Sequence, residues 1–119
     1  MVTDSNITLV AGQSSLQMIV GEREWTRVVL HRGGVAEDLG AEGLGGLVER
    51  ISRFLKEPPS VLRCAFVLSE KHTTAYGCAS GDKVLLRLQD RDAKFFAKLE
   101  LTNAERLVWL RQLELIHQG

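Results

Sequence analysis

Two cysteines, two prolines and a single tyrosine are all that 119 residues hold of these types, and aromatic residues make up 6% of the chain. Cys64 and Cys78 are too few for a disulfide framework, and no Cys-x-x-Cys spacing marks a redox pair. No charge of one sign dominates: Lys and Arg number 15, Asp and Glu 15, for a formal net charge of zero. A protein that works by neutralising phosphates usually carries a basic excess or a basic face, and the excess is missing. The same balance weakens self-repulsion and so permits self-association. No apolar run approaches the ~18 residues of a membrane span. Residues 1–6 lack the basic start and long apolar run of a secretory signal. The expected location is cytoplasmic, with no membrane partner.

What is present is ordinary for a globule, 45% hydrophobic and 25% charged. A length of 119 residues fits one domain spanning 1–119. A domain of that size buries roughly two-thirds of its unfolded surface, enough for a core without staples.

Residues 1–6 read as a short flexible start. Apolar residues run or alternate over 7–11, 15–20 and 25–31, which predicts three strands separated at Gly12 and Gly21. A fourth, short strand is expected over 35–39 after the turn at Gly33 and Gly34. The glycine-rich run 40–46 leads into the clearest helical stripe: Leu44, Leu47, Val48, Ile51, Phe54 and Leu55. Pro58 and Pro59 stop that helix. The second half repeats the plan, with strands over 62–69, 73–80, 83–88 and 94–101. In the last strand Phe95, Ala97, Leu99 and Leu101 alternate with Lys94, Phe96, Lys98 and Glu100, as in a sheet with one wet face. Thr102 and Glu105 then form a capping box that opens a final helix.

Strands in runs, each run followed by a helix, predict an α+β fold: mainly antiparallel sheets of about 7–8 strands with two helices. Ala41, Glu42, Leu44 and Leu47 recur as Ala104, Glu105, Leu107 and Leu110. A duplication with half-repeats 7–57 and 61–118 accounts for this phrase, and so do two similar helices that arose independently. One sheet, two sheets or a barrel-like sheet fit the same strands. Four strands and a helix, twice over, resemble the element order of the PUR-type and whirly-type single-strand nucleic-acid binders. The resemblance implies a sheet surface that takes single strands, and it is one of element order alone.

Residues that could carry chemistry are scattered. A hairpin centred on Lys71 places Cys64 opposite Cys78 and Phe66 opposite Tyr76, on the face of Leu62 and Leu68. The pair reads as small core residues rather than a redox or metal site, since free cysteine is common in cores. His31, His72 and His117 fall at a strand end, a turn and a chain end, without metal-ligand spacing. The run 40–46 lacks the Gly-Lys-Ser/Thr of a phosphate loop. No serine sits in a nucleophile elbow, and Asp90 and Asp92 suit a turn. No catalytic residue, metal ligand or cofactor is nominated, and the reading is non-enzymatic.

Two surface readings remain. The final helix carries one apolar arc of Leu107, Trp109, Leu110, Leu113 and Ile116 and a second stripe of Val108 and Leu115. A helix apolar on two sides has something to bury on both. Val108, Leu115 and an anchoring Trp109 therefore mark a partner interface. The expected function is a protein-binding domain of the immunity, inhibitor or accessory type, with a protein partner or self-association as a homodimer. The alternative is a β-sheet module for single-stranded nucleic acid using Lys83, Arg87, Lys94 and Lys98, with Tyr76 and Phe96 nearby.

Overall fold

The computed structural model describes residues 5–118, so positions 1–4 of the expected flexible start lie outside the described residues. The first half comprises β1 (Ser5–Ala11), β2 (Ser14–Val20), β3 (Trp25–Arg32), β4 (Val35–Gly43) and helix α1 (Leu44–Lys56). The second comprises β5 (Arg63–Leu68), β6 (Thr73–Ser80), β7 (Lys83–Gln89), β8 (Phe95–Leu101) and helix α2 (Asn103–Gln118). Each set of four strands forms its own antiparallel sheet, with neighbours in chain order. The fold is α+β, as the alternation of apolar residues predicts, and the strands divide into two sheets.

Strand periodicity explains which side each sheet buries. Leu9, Leu16, Met18, Val28 and Leu30 line the inner face of the first sheet. Phe66, Leu68, Ala75, Leu86, Leu88 and Leu99 line that of the second. The stripe of α1 is buried at all six expected positions, from Leu44 to Leu55. Both inner faces, α1 and the inner side of α2 join in one core cluster. Each large apolar side chain so buried contributes roughly 1.5–3 kcal/mol. Tertiary packing, rather than helix propensity, therefore holds α1, which carries two glycines in its first turn.

Two boundaries differ from expectation. Ser5 and Asn6 already belong to β1. Strand β4 continues past Leu39 to Gly43, through the glycines expected to form a loop. The cause is a bulge. The β3–β4 register shifts between Val28 and Val29, and Gly40 takes φ +111°. The Asp38 carboxylate accepts the Gly40 amide at 2.9 Å and fixes the kink. A Cβ at Gly40 would lie 3.1 Å from Lys71 Cβ, so glycine serves both the backbone angle and the close approach.

The β5–β6 hairpin also departs from its expected register. Cys64 pairs with Tyr76 and Phe66 with Ala75, because the register shifts between Cys64 and Phe66. The shift leaves Phe66 buried, Cys64 exposed and Cys78 half-buried. The cysteines are therefore neither opposite one another nor core residues.

The two halves interlock at their first hairpin turns. The Glu70 amide donates to the Ala41 carbonyl at 3.2 Å, and the Thr73 hydroxyl donates to the Leu39 carbonyl at 2.6 Å. The Ser69 hydroxyl donates to the Glu42 carboxylate. At the other junction the Gly12 amide donates to the Glu105 carboxylate at 2.8 Å. Glu42 and Glu105 thus each hold the first hairpin turn of the opposite half. The rest of their shared phrase diverges: Leu44 and Leu47 are buried, whereas Leu107 is exposed and Leu110 half-buried.

Candidate functional site

Helix α2 packs beside β1, an edge strand of the first sheet. Its start is fixed by the capping box. The Glu105 amide donates to the Thr102 hydroxyl at 3.1 Å, and the Glu105 carboxylate accepts the Thr102 amide at 2.9 Å. The Thr102 amide, with that of Gly12, holds the Glu105 carboxyl below its ordinary range despite partial desolvation, and the Thr102 hydroxyl and Lys83 add to the effect. Trp109 Nε1 donates to the Val10 carbonyl at 2.8 Å, and Gln112 Nε2 to the Thr8 carbonyl at 3.2 Å.

Trp109 is completely buried and is a core residue, which corrects its expected role as an interface anchor. Its indole reaches across the edge of β1 and has no surface to offer a partner. Leu113 is buried with it, and Leu110 and Ile116 pack half-buried against the same core. The second stripe is different. Val108 is 53% exposed and Leu115 56%. Leu107, expected on the inner arc, joins them at 51%. At 100° per residue Leu107, Arg111, Leu115 and Val108 share one face. Of these four residues Arg111 alone is charged, and its stem is apolar.

A second surface is the outer face of the second sheet. Here Tyr76, Arg87 and Lys98 are direct cross-strand neighbours on β6, β7 and β8. The Arg87 guanidinium carbon lies 4.0 Å from the centroid of the Phe95 ring. Tyr76 meets the same ring edge-on, with centroids 6.4 Å apart at 72°. Phe95 replaces Phe96 as the aromatic of this face. The register shifts between Leu88 and Gln89, so that Phe95 pairs with Gln89 and is 44% exposed. Phe96 turns to pack half-buried against the core. Strict alternation along β8 could not reveal this, because one extra residue in a bulge reverses the faces beyond it.

The four cations expected here are only partly brought together. Arg87 and Lys98 are adjacent, Lys83 begins β7 opposite Ser80, and Lys94 lies in the turn before β8. Among the described residues the ion pairs involve other cations, namely Arg27, Arg32, Arg53 and Lys71. Asp90 in that turn spends its carboxylate on the amides of Asp92 and Lys94, at 2.9 and 3.0 Å.

The first sheet presents a contrasting, internally paired charge cluster. Arg27 bonds Asp38 at 2.9 Å and Glu70 at 2.8 Å, and Lys71 stands 3.5 Å from Asp38. The two carboxylates raise the Arg27 pKa above its ordinary value. The Arg27 hydrogen bond lowers Glu70. Desolvation pushes the Asp38 carboxyl up, but the Gly40 amide, Arg27 and Lys71 outweigh it and the net shift is down. This cluster ties β3 and β4 to the β5–β6 turn and reads as structural.

The histidines occupy separate places. His31 Nε2 pairs with Gln17 at 2.8 Å on the first sheet, His72 takes φ +57° in the β5–β6 turn, and His117 lies near the end of α2. No group of three or more His, Cys, Asp or Glu among the described residues is arranged to hold a metal ion. No helix among the described residues is long and apolar enough to cross a membrane. Comparison with protein-family models, curated proteins and solved structures finds no match to the chain.

Proposed function

We propose that this protein is a protein-binding domain that self-associates through the outer face of α2. The observation that carries the reading is the exposure of Leu107, Val108 and Leu115 on one helical face, opposite the buried Trp109 and Leu113. Large exposed apolar patches on small domains mark interaction surfaces. A second copy is the occupant that suits the sequence on two counts. A formal net charge of zero sets no long-range barrier to self-encounter. Leu107 and Leu115 also lie four residues either side of Arg111. An antiparallel two-fold contact centred there places Leu107 of each copy against Leu115 of the other. The same register sets Arg111 beside its own copy, with the apolar stems packed on the leucines and the guanidinium groups reaching solvent.

The test is the double variant V108S/L115Q in solution. The expected result is a folded protein that no longer assembles, with an unfolding midpoint that no longer depends on protein concentration. Unfolding of the variant, or assembly unaffected by it, contradicts the reading.

A second reading rests on a different observation, the adjacency of Tyr76, Arg87, Phe95 and Lys98 on an open sheet face. Like charges placed directly opposite across a sheet are unfavourable unless an anion lies between them. Cations beside exposed aromatic rings suit single-stranded nucleic acid, whose phosphates meet the charges while its bases stack. Salt-sensitive binding of oligothymidine supports this reading, and no binding at low salt rejects it.

A further inference from the structure

We infer that Arg87 covers the Phe95 ring in the free protein and yields it to a nucleic-acid base on binding, so that one residue pair both contacts phosphate and uncovers a stacking platform. The inference rests on the second reading above, that the outer face of the β5–β8 sheet takes single-stranded nucleic acid.

Three observations lead to it. First, the Arg87 guanidinium sits over Phe95, with its central carbon 4.0 Å from the ring centroid. A single strand cannot stack on a ring face that is already occupied. Second, Arg87 stands directly opposite Lys98 across β7 and β8. Among the described residues neither cation forms an ion pair with a carboxylate. The π face of Phe95 is therefore the main partner of the Arg87 charge, and at an exposed site that is a weaker partner than a phosphate oxygen. Third, Phe95 has a contact that does not involve Arg87, the Tyr76 ring packed edge-on with centroids 6.4 Å apart. That contact is still available when the guanidinium leaves.

A phosphate that arrives between Arg87 and Lys98 relieves their like-charge opposition and draws the guanidinium off the ring. The vacated ring then receives a base. Stacking of this kind is tolerant of sequence, because every base has a π face. Discrimination then falls between single strands and duplex, whose bases are already stacked.

The test follows the Arg87 side-chain protons by NMR while the full chain is titrated with oligothymidine at low salt. In the free protein the ring current of Phe95 shifts these protons upfield. The expected result is that they move downfield as the strand binds. Phe95→Ala loses about 5- to 150-fold in affinity, the effect of one lost stacked base, whereas Phe95→Tyr retains it. Arg87→Gln lowers the salt slope by about 0.7, as for one phosphate contact on a single strand. Binding that leaves the Arg87 protons upfield overturns the exchange and leaves the nucleic-acid reading standing. No oligothymidine binding overturns both. Equal displacement of Arg87 by polyglutamate assigns the face to acidic peptides and also overturns the inference.

Discussion

The indole Nε1 of Trp109 donates to the carbonyl of Val10 at 2.8 Å, joining residues 99 positions apart in the chain. This bond belongs to a series. Thr8, Val10 and Gly12 lie two apart and present successive groups along one strand edge, roughly 6.8 Å from one to the next. Glu105, Trp109 and Gln112 lie four and three apart and share one helical face, with rises of about 6 and 4.5 Å. The two repeats match closely enough for α2 to satisfy the edge of β1 with side chains. An open strand edge is a template for unwanted pairing, and α2 covers this one.

Replacing Trp109 by Phe retains most of the buried volume but leaves the Val10 carbonyl without its donor. The expected cost is about 0.5–1.5 kcal/mol, the net worth of one hydrogen bond, because Val10 is 47% exposed and water takes the place of the lost donor. Trp109→Ala adds a cavity and is expected to cost about 3–5 kcal/mol. Urea denaturation of the three proteins checks the order. Equal stabilities for wild type and W109F contradict the role given to the bond.

Two glycines are expected to respond in opposite directions. A Cβ at Gly77 lies 2.6 Å from both the Leu85 carbonyl oxygen and Phe54 Cζ, so Gly77→Ala pushes α1 away from β6. Overpacking of this kind costs about 1–3 kcal/mol. Nothing lies within 4 Å of a Cβ at Gly46, in the first turn of α1. Gly46→Ala is expected to stabilise by roughly 0.5–1 kcal/mol, because glycine loses more chain entropy on folding. Thermal melts of both variants check the signs.

Acid stability is tied to three carboxylates held below their ordinary range, Asp38, Glu70 and Glu105. A depressed carboxyl contributes stability that is fully present above its unfolded pKa. For Glu105 that ordinary value is 4.5. The contribution is lost as pH falls through the lower folded pKa. Stability is therefore expected to fall as pH drops below about 4.5. In Glu105→Gln the decline is expected to be shallower, because one of the three groups no longer titrates. Denaturation midpoints measured from pH 7 down to about 3 test this. Parallel curves for wild type and variant contradict the assignment to Glu105.

Much of the fold was legible in the residues themselves. Apolar runs, period-two alternation and turn residues located the eight strands, β4 only in its first part, and the stripe from Leu44 to Leu55 located α1 with its buried face. Thr102 and Glu105 announced the start of α2, and their reciprocal bonds are present. The departures in strand register share one physical cause. Bulges at Val28/Val29, Cys64/Phe66 and Leu88/Gln89 each insert an extra residue into a ladder and reverse the faces beyond it. Bulges depend on tertiary contacts, such as Lys71 against Gly40, that no local pattern encodes. The same cause exchanged Phe96 for Phe95 on the outer sheet face. The fate of Trp109 depended on which side of α2 met β1, and its polar nitrogen needed the Val10 carbonyl to be buried at all.

Light scattering of the wild-type protein at two concentrations tests self-association through α2 most directly. The account predicts a mass that rises with concentration from 13.2 kDa toward twice that value. A mass that stays at 13.2 kDa across the range contradicts it.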